Sequence, residues 1–231
     1  MRAWIGTSGF QYDFWRGNFY PEDCKPPQML AAYGKRLRSV EINVTFYRMP
    51  KRAMLEKWAT QVPDGFRFAL KASRRITHMK RLKEIEEPVG YLVETVRALG
   101  GRLGPLLFQL PPNLKKNPER LRGLLALLPR DVPASVEFRH ASWFDDEVNG
   151  LLREHGVALC MSDQGEGEDA TPFESTAGFG YLRLRRDGYS DEDLSAIAAR
   201  IRAQTWDDVY AYFKHEELAP TLAAKLTDLL D

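Results

Sequence analysis

The sequence has few cysteines, no excess of charge of either sign and no long apolar run. Its 231 residues include two cysteines, Cys24 and Cys160, too few for a disulfide framework or a cysteine metal cluster. Lysine and arginine total 33 against 32 acidic residues, a net charge of +1, which excludes a global basic field for nucleic acid. Because no apolar run approaches about 20 residues and the N-terminus does not resemble a signal peptide, we expect a cytoplasmic protein without a membrane span.

What the chain does contain is an alternation of short apolar runs with longer amphipathic patterns. We predict strands near residues 2–6, 39–46, 66–71, 105–110, 134–139, 157–162, 179–185 and 208–213. We predict helices near residues 27–37, 51–61, 88–99, 117–127, 145–154, 190–204 and 217–230. Strands that alternate with helices indicate βα units and a parallel sheet. Eight strands in a chain of this length predict a single (β/α)8 barrel domain over residues 1–231.

Two predicted connections are unusual. Residues 7–26 form a long loop after strand 1, and its Trp15, Phe19 and Tyr20 need burial. We expect this loop to cover part of a site at the barrel mouth. Residues 163–178 link strands 6 and 7 without a clear helix, and we expect a solvated loop there.

The polar faces of the predicted strands indicate a charged barrel interior. In a barrel, one face of each strand packs on the helices and the other points into the lumen. Val40, Ile42 and Val44 on strand 2 suit the helix side, as do Val136 and Phe138 on strand 5. The opposite phase sends these polar residues inward: Glu41, Asn43, Lys71, Ser73, Gln109, Glu137, Arg139, Arg183, Tyr212 and Lys214.

Two interpretations of this interior remain open. An unpaired buried charge costs several kcal/mol, so these groups must pair with each other or meet water and ligand. One interpretation is a structural ion network that braces the barrel. The other is a site at the C-terminal mouth, where barrel enzymes keep their chemistry.

Basic residues cluster at three predicted strand ends. The stretch "SRRITHMKRLK" at 73–83 follows strand 3 and contains Arg74, Arg75 and His78. Strands 7 and 8 also end in basic residues, namely Arg183, Arg185, Arg186, Lys214 and His215. Loops after strands 7 and 8 commonly bind phosphate in barrels, and guanidinium groups suit phosphate well. We predict a small anionic ligand, with nucleic acid as the alternative partner. An ordinary solvated basic loop, balanced by nearby glutamates, would explain the pattern at 73–83 equally.

Glu41 and Glu137 are candidates for acid–base chemistry. A carboxylate beside Lys71 or Arg139 stays ionised, whereas a desolvated one without a cation holds a proton near neutrality. Two glutamates in a barrel mouth also fit glycoside hydrolysis. The alternative is that cations clamp both glutamates as structure.

Neither a metal nor a cofactor is predicted. The chemically suitable ligands are His78, His140, His215, Glu137 and Asp163. They lie on separate strand ends without a close ligand spacing, and neighbouring cations oppose a divalent ion. "GTSGF" lacks the spacing of a nucleophile elbow or a Walker loop, and Cys160 in "VALCMSD" is typical of a buried strand thiol.

Six segments resemble the YecE-like family, also known as domain of unknown function 72. They are "WIGTSGFQYDFWRGNFYP", "VEINVTFYRMP", "FRFALKASRRITHMKRLK", "LGPLLFQLPPNL", "SVEFRHASWF" and "LLREHGVALCMSD", in family order over about residues 3–163. The resemblance implies a TIM-like barrel and no settled activity. Such a barrel is similar to those of metal-dependent nucleases and sugar isomerases, which is analogy at the level of fold.

The resemblance adds residues that the alternation does not single out. The matching motif residues are Gly6, Thr7, Ser8, Tyr12, Trp15, Glu41, Asn43, Phe46, Tyr47, Lys71, His78, Gln109, Glu137, Arg139, His140, Trp143 and Asp163. Of these, Trp15, Tyr47 and Trp143 are expected to form walls of the pocket.

The chain departs from the family pattern after strands 7 and 8. Arg185 and Arg186 stand where the pattern has histidine and glycine, and Lys214 and His215 stand in the place of paired asparagines. This member is therefore expected to differ in ligand binding or activity.

The combined prediction is an enzyme that acts on an anionic substrate by acid–base and electrostatic catalysis. Lys71, Arg139 and Arg183 would hold negative charge, and Glu41 or Glu137 would move protons. The complete set of predicted catalytic and substrate-binding residues is Glu41, Glu137, Lys71, Thr7, Ser8, Tyr12, Trp15, Asn43, Tyr47, Arg74, His78, Gln109, Arg139, His140, Trp143, Asp163, Arg183 and Lys214. The rival class is a nucleic-acid-binding or regulatory module without catalysis.

Overall fold

Eight parallel strands close into a barrel in the computed structural model, which describes residues 1–163, 171–214 and 217–231. The strands are β1 (Arg2–Ser8), β2 (Ser39–Ile42), β3 (Arg67–Lys71), β4 (Leu103–Gln109), β5 (Ala134–Glu137), β6 (Ala158–Ser162), β7 (Phe179–Leu184) and β8 (Asp208–Phe213). Each strand pairs with the next in sequence, and β1 pairs with β8 over six residue pairs. The predicted (β/α)8 fold is confirmed.

Helices of the described residues follow most strands. They are α1 (Pro26–Gly34), α2 (Val44–Tyr47), α3 (Arg52–Ala59), α4 (Glu86–Val96), α5 (Pro118–Ala126), α6 (Asp146–His155), α7 (Asp191–Arg202) and α8 (Ala219–Leu230). Local signals set their ends. Asn117 caps α5 by accepting from the Arg120 amide at 3.0 Å, and Gly156 ends α6 in the left-handed conformation with φ 66°.

The connection between β6 and β7 contains no helix in its described part, residues 163 and 171–178. Residues 164–170 of this predicted loop lie outside the described residues. Thr176 attaches the connection to the barrel, because its hydroxyl donates to the Val157 carbonyl at 2.8 Å and accepts from the Leu159 amide at 2.7 Å.

Apolar side chains form two separate layers of the barrel. The large layer lies between strands and helices and includes Val40, Ile42, Val136 and Phe138, as the alternation predicts. The smaller layer fills the lumen with these residues: Ala69, Leu107, Ala158, Cys160, Tyr181, Tyr210 and Tyr212. Above the lumen layer, polar side chains replace aliphatic ones toward the carboxyl ends of the strands. Since all strands are parallel, these ends share one mouth.

Strand 2 is shorter than predicted. It ends at Ile42, and α2 then turns the chain, which leaves Val44 56% exposed instead of on the helix side. Thr45 holds this turn, because its hydroxyl donates to the Lys71 carbonyl at 2.7 Å and lies 3.1 Å from the Ile42 carbonyl. The strand predicted from the alternation was therefore too long, and the prediction is wrong from Val44 onward. Four residues are too few to separate a period of two from a helical turn.

The long loop after β1 packs mainly into the core. Trp15, Phe19 and Tyr20 are buried and meet Tyr33 of α1 through a chain of ring contacts. Tyr33 in turn donates to the Ser39 carbonyl and accepts from the Thr7 amide on the helix side of β1 and β2. The loop's large aromatic side chains therefore complete the helix-side core.

Candidate functional site

The centre of the mouth is a buried ion network around Arg183. This side chain is 2% exposed and lies between two carboxylates that are 0% exposed. Its Nη2 donates to Glu41 Oε1 at 2.9 Å and its Nη1 to Glu137 Oε2 at 2.7 Å. Strands β2, β5 and β7 supply one member each, so the closed barrel brings residues from distant parts of the chain into contact.

Glu41 is saturated with hydrogen-bond donors. Its oxygens accept from Ser8 Oγ at 2.7 Å and from the Tyr181 hydroxyl at 2.8 Å, in addition to Arg183. Asn43 Nδ2 lies 3.3 Å from the same carboxylate. Burial by itself raises the pKa of Glu41, but the charge of Arg183 and these hydrogen bonds lower it to about 2. This environment favours a permanently ionised Glu41, which argues against the predicted proton-carrying role.

Glu137 is shared between two guanidinium groups. Arg183 holds one oxygen, and Arg139 Nη2 lies 2.6 Å from the other. Arg139 is 21% exposed, so it links the buried carboxylate to the open mouth. Each glutamate thus binds at least one arginine. This geometry agrees with the interpretation in which cations hold both glutamates in a structural ion network.

Lys71 lies beside this network without a carboxylate of its own. It ends β3 and is half-buried, with its ammonium 4.4 Å from the centre of the Phe46 ring. Among the described residues, no acidic oxygen lies within ion-pair distance of Lys71 and no hydrogen bond reaches its Nζ. Burial is the largest effect that lowers the pKa of Lys71 to about 8, and the charge of Arg183 lowers it further. The charges of Glu41 and Glu137 raise this pKa and offset part of the shift.

A cavity of about 410 Å³ opens at the ends of β4, β5 and β6. Gln109, Arg139 and Ser162 are among its lining residues. Gln109 ends the strand that neighbours Lys71, and Arg139 joins the cavity to Glu137. A volume of this size accommodates a small metabolite.

Arg185 adds positive charge near the same mouth. It is half-buried, and its backbone amide donates to Asp163 Oδ1 at 2.6 Å. Burial and the charge of Arg183 lower its pKa, while Glu41 and Glu137 oppose that shift. Its neighbour Arg186 instead lies 2.8 Å from Asp193 in an exposed ion pair.

Several predicted residues lie at the edge of the mouth. Tyr47 is 68% exposed, and the Arg74 guanidinium lies 5.8 Å from its ring. His78 is half-buried against Phe46, with ring centres 4.9 Å apart, and burial followed by the charges of Lys71 and Arg81 lowers its pKa. Tyr12 donates to the Ser8 carbonyl at 2.8 Å.

Three other predicted residues have local structural partners. Asp163 accepts from the Tyr189 hydroxyl at 2.5 Å. His140 Nδ1 accepts from the Ser142 amide at 3.1 Å, and Lys214 Nζ lies 3.1 Å from Asp187. His215 lies outside the described residues.

Three residues predicted to contact a ligand are buried in the core. Trp15 and Trp143 are 0% and 1% exposed, and the Trp143 indole donates to the Leu114 carbonyl. Thr7 is fully buried toward the helices, where its hydroxyl meets Tyr33 and the Gly9 carbonyl. Side chains without exposed surface on the mouth side do not touch a ligand there; their packing explains the motif.

Tyr181 was not among the predicted site residues, although its hydroxyl is one of the donors that bind the Glu41 carboxylate. It precedes Arg183 by two residues on β7 and therefore shares its face. Extending the alternation of strand 7 toward its start would have located it.

The described residues hold no group of three or more His, Cys, Asp and Glu side chains placed to bind a metal ion. None of the described helices has the length and apolarity that a membrane span requires. Cys160 is buried and free, as the strand pattern predicts.

This arrangement defines a class of protein: a TIM-type (β/α)8 barrel with a charged network beneath its C-terminal mouth. Within that class the chain belongs to the DUF72 family, because the family's sequence model, described as "Protein of unknown function DUF72", matches residues 4–231. The resemblance of the sequence motifs is thereby confirmed.

Curated relatives carry no stated activity in their names. UPF0759 protein YecE of Escherichia coli K12 is 29% identical over 151 residues, which cover 62% of this chain and 55% of the relative. UPF0759 protein YunF of Bacillus subtilis 168 is 27% identical over 190 residues, 75% of this chain and 66% of the relative. The chain thus spans a little over half to about two thirds of these relatives.

Solved structures share the fold. A DUF72 family protein from Thermotoga maritima has a TM-score of 0.85 and 26% identity, with 99% of this chain and 98% of that chain covered. A sugar phosphate isomerase/epimerase from Parabacteroides distasonis has a TM-score of 0.58 and 10% identity, with 98% and 94% covered. A D-psicose 3-epimerase has a TM-score of 0.56 and 10% identity, with 100% and 96% covered. The last two show likeness of fold alone.

Proposed function

We propose that this protein is an enzyme that acts on a small anionic substrate, by acid–base and electrostatic catalysis at the barrel mouth. The observation that carries the proposal is the placement of Lys71, a half-buried amine beside a buried ion network, where burial and the charge of Arg183 lower its pKa to about 8. A group whose pKa lies near the working pH is suited to transfer protons.

Burial is the main cause of this lowered pKa, and the charge of Arg183 adds to it. Arg183 and Arg139 bind the carboxylates of Glu41 and Glu137. Lys71 therefore lies near positive charge and has no counter-ion at contact distance among the described residues. A purely structural lysine would take one of those carboxylates as an ion pair. Groups whose pKa values are shifted by burial and by neighbouring charges occur most often at functional sites.

Positive charge at the mouth supports an anionic substrate. Arg139 lines the cavity, and Arg185 and Lys71 lie close enough to the network to sense its charges. Guanidinium groups that are partly shielded from water bind phosphate and carboxylate more strongly than exposed ones do. Phosphate esters and carboxylated metabolites are therefore the substrate classes to test first.

The structural neighbours are compatible with proton-transfer chemistry. The names of two neighbours state that those proteins are a sugar phosphate isomerase/epimerase and a D-psicose 3-epimerase. Isomerisation and epimerisation of sugars move protons on carbon, which needs one poised base and electrostatic stabilisation. At 10% identity this is an analogy of fold, and the residues named above carry the proposal.

Replacing Arg185 by glutamine tests the anion site, with Arg186→Gln as the matched control. Arg185 lies near the network and Arg186 pairs with Asp193 on the surface. We expect Arg185→Gln to weaken binding of inorganic phosphate or ribose 5-phosphate about tenfold or more, because a charge-assisted hydrogen bond is lost. Isothermal titration calorimetry measures this directly. Equal affinity of both variants and wild type would remove Arg185 from the site.

The exposed pair Tyr47 and Arg74 favours a second candidate, single-stranded nucleic acid binding. An exposed ring beside a guanidinium is an arrangement on which bases stack. The same titration therefore includes a 20-nucleotide oligonucleotide at two salt concentrations. Saturable binding of the small anion supports the enzyme, whereas oligonucleotide binding that falls steeply with salt, without turnover, supports the alternative.

A further inference from the structure

We propose that Lys71 forms an imine with the carbonyl carbon of its substrate, so that the substrate is an anionic aldehyde or ketone. This inference rests on the proposed function and narrows it to one substrate class. It assigns Lys71 a covalent role in addition to proton transfer.

Partial burial and the lack of a carboxylate partner among the described residues give Lys71 a larger share of free amine than an ordinary lysine has. The side chain is half-buried, with the Phe46 ring 4.4 Å from the nitrogen. A ring face attracts the ammonium form, so the lowered pKa comes from burial and from the charge of Arg183. No described residue offers a carboxylate at ion-pair distance, since Glu41 and Glu137 are engaged by arginines. An amine placed in apolar surroundings next to other cations is the established way to activate a lysine nucleophile.

The charge of the mouth also selects the substrate. Arg139 and Arg185 attract an anionic group, while the uncharged amine is free to attack an electrophilic carbon. At a pKa of about 8, about a tenth of Lys71 is uncharged at pH 7, far more than for an ordinary lysine. A phosphate or carboxylate at one end and a carbonyl at the other would satisfy both features.

The reaction balances without a further reagent. The neutral Nζ bonds to the carbonyl carbon, and a proton moves from nitrogen to oxygen to give a carbinolamine. The hydroxyl then takes up one proton from solvent and leaves as water, and the nitrogen lone pair forms the C=N bond. The product is a protonated iminium that withdraws electrons from the neighbouring carbon, whose C–H bond is thereby made more acidic.

Pyridoxal 5′-phosphate is a suitable probe, because it combines an aldehyde with a phosphate. The full chain is incubated with the probe and reduced with sodium borohydride, which converts an imine into a stable secondary amine. We expect one saturable adduct in the intact mass, located at Lys71 by peptide mapping, with half-maximal labelling near pH 8. In wild-type protein, label distributed over the exposed lysines, or formed only above pH 10, would overturn the inference.

Two lysine variants make the assignment specific. Lys71→Met removes the amine and keeps much of the side-chain volume, and we expect it to abolish the saturable adduct. Lys80→Met is the control, because Lys80 lies in the connection that follows β3, is half-buried and approaches Glu84 at 3.9 Å. It should label like wild type. Circular dichroism checks that both variants fold, and the wild-type peptide map decides the question if Lys71→Met does not.

Competition with inorganic phosphate separates this inference from the proposed function. If phosphate binds with the Arg185 dependence described above and no imine is trapped, the covalent role is wrong and the anion-binding enzyme stands. If the adduct forms at Lys71 and phosphate does not reduce it, the imine stands and the anion site is wrong. If the adduct forms at Lys71 and phosphate suppresses it, the result supports both the imine and the anion site.

Discussion

Arg183 is the residue on which the charged interior depends. Its guanidinium donates to both buried carboxylates, those of Glu41 and Glu137. Both carboxylates are fully buried, so their charges cannot be solvated by water. Because the cost of an uncompensated buried charge exceeds the net gain from a formed pair, removal of this one cation matters more than the two bonds it makes.

Arg183→Met should therefore lower the free energy of unfolding by about 3–5 kcal/mol at pH 7. Urea denaturation followed by circular dichroism measures the change. Arg52→Met is the control, since Arg52 forms an exposed pair with Glu56 at 2.9 Å and should cost no more than about 1 kcal/mol. Neutralising both carboxylates, as Glu41→Gln and Glu137→Gln in the Arg183→Met background, should recover part of the loss. An equal loss in the two single variants would show that burial of the network is unimportant.

Single residues of the network could be predicted from the sequence because strand alternation is periodic. Once the phase of Val40 and Val136 is known, Glu41 and Glu137 follow as lumen residues. The environment of a side chain beyond a strand end has no such period. Trp15 and Trp143 belong to family motifs that suggest a pocket wall, yet each is buried in the core, where large aromatic side chains gain most from burial.

At the level of elements, β1 and β2 approach each other closely at Gly6. This glycine is paired with Ser39, and a Cβ atom at its position would lie 1.9 Å from the Ser39 carbonyl oxygen. The same carbonyl accepts the hydroxyl of Tyr33 from α1 at 2.8 Å. The missing side chain thus lets strand, neighbouring strand and helix meet at one point, directly below Ser8 and the ion network.

Gly6→Ala should lower the free energy of unfolding by at least about 1–3 kcal/mol, because the overlap is with backbone, which cannot rotate away. Gly150→Ala is the matched control. Gly150 lies on the exposed face of α6, with no atom within 4 Å of an added Cβ, so this change should stabilise the protein by about 0.5–1 kcal/mol. Thermal unfolding of the two variants beside wild type measures both. A Gly6→Ala protein as stable as Gly150→Ala would contradict the close approach.

The type of each strand and helix was easier to predict from the sequence than the residues at which it begins and ends. All eight strands lie where apolar runs predict them, since a parallel sheet buried on both faces needs such runs. The end of β2 was missed because its turn depends on Thr45, whose hydroxyl bonds to Lys71 on the next strand. A contact between residues 26 positions apart leaves no mark on the local pattern.

Across the whole molecule, the ion network connects strands from opposite sides of the barrel. Glu41 on β2, Glu137 on β5 and Arg183 on β7 are neighbours only when the ring of strands is closed by the pairing of β1 with β8. The sequence could predict which residues face inward, but not that Arg183 would bridge both carboxylates and leave Lys71 without one. That distribution of partners depends on distances across the lumen. It links the stability of the fold to the charge state of the candidate site.

The pH dependence of unfolding tests this link. The pKa of Glu41 falls from 4.5 to about 2 in the folded protein. A lowered pKa stabilises the folded state above pH 4.5, and that stabilisation is lost as the pH falls toward 2. The shift corresponds to about 3 kcal/mol. The difference in unfolding free energy between wild type and Glu41→Gln should therefore shrink by about this amount from pH 5 to pH 2 in urea titrations. Glu56→Gln, on the exposed face of α3, should follow wild type throughout. Parallel curves for wild type and Glu41→Gln would show that Glu41 does not carry the acid sensitivity of the barrel.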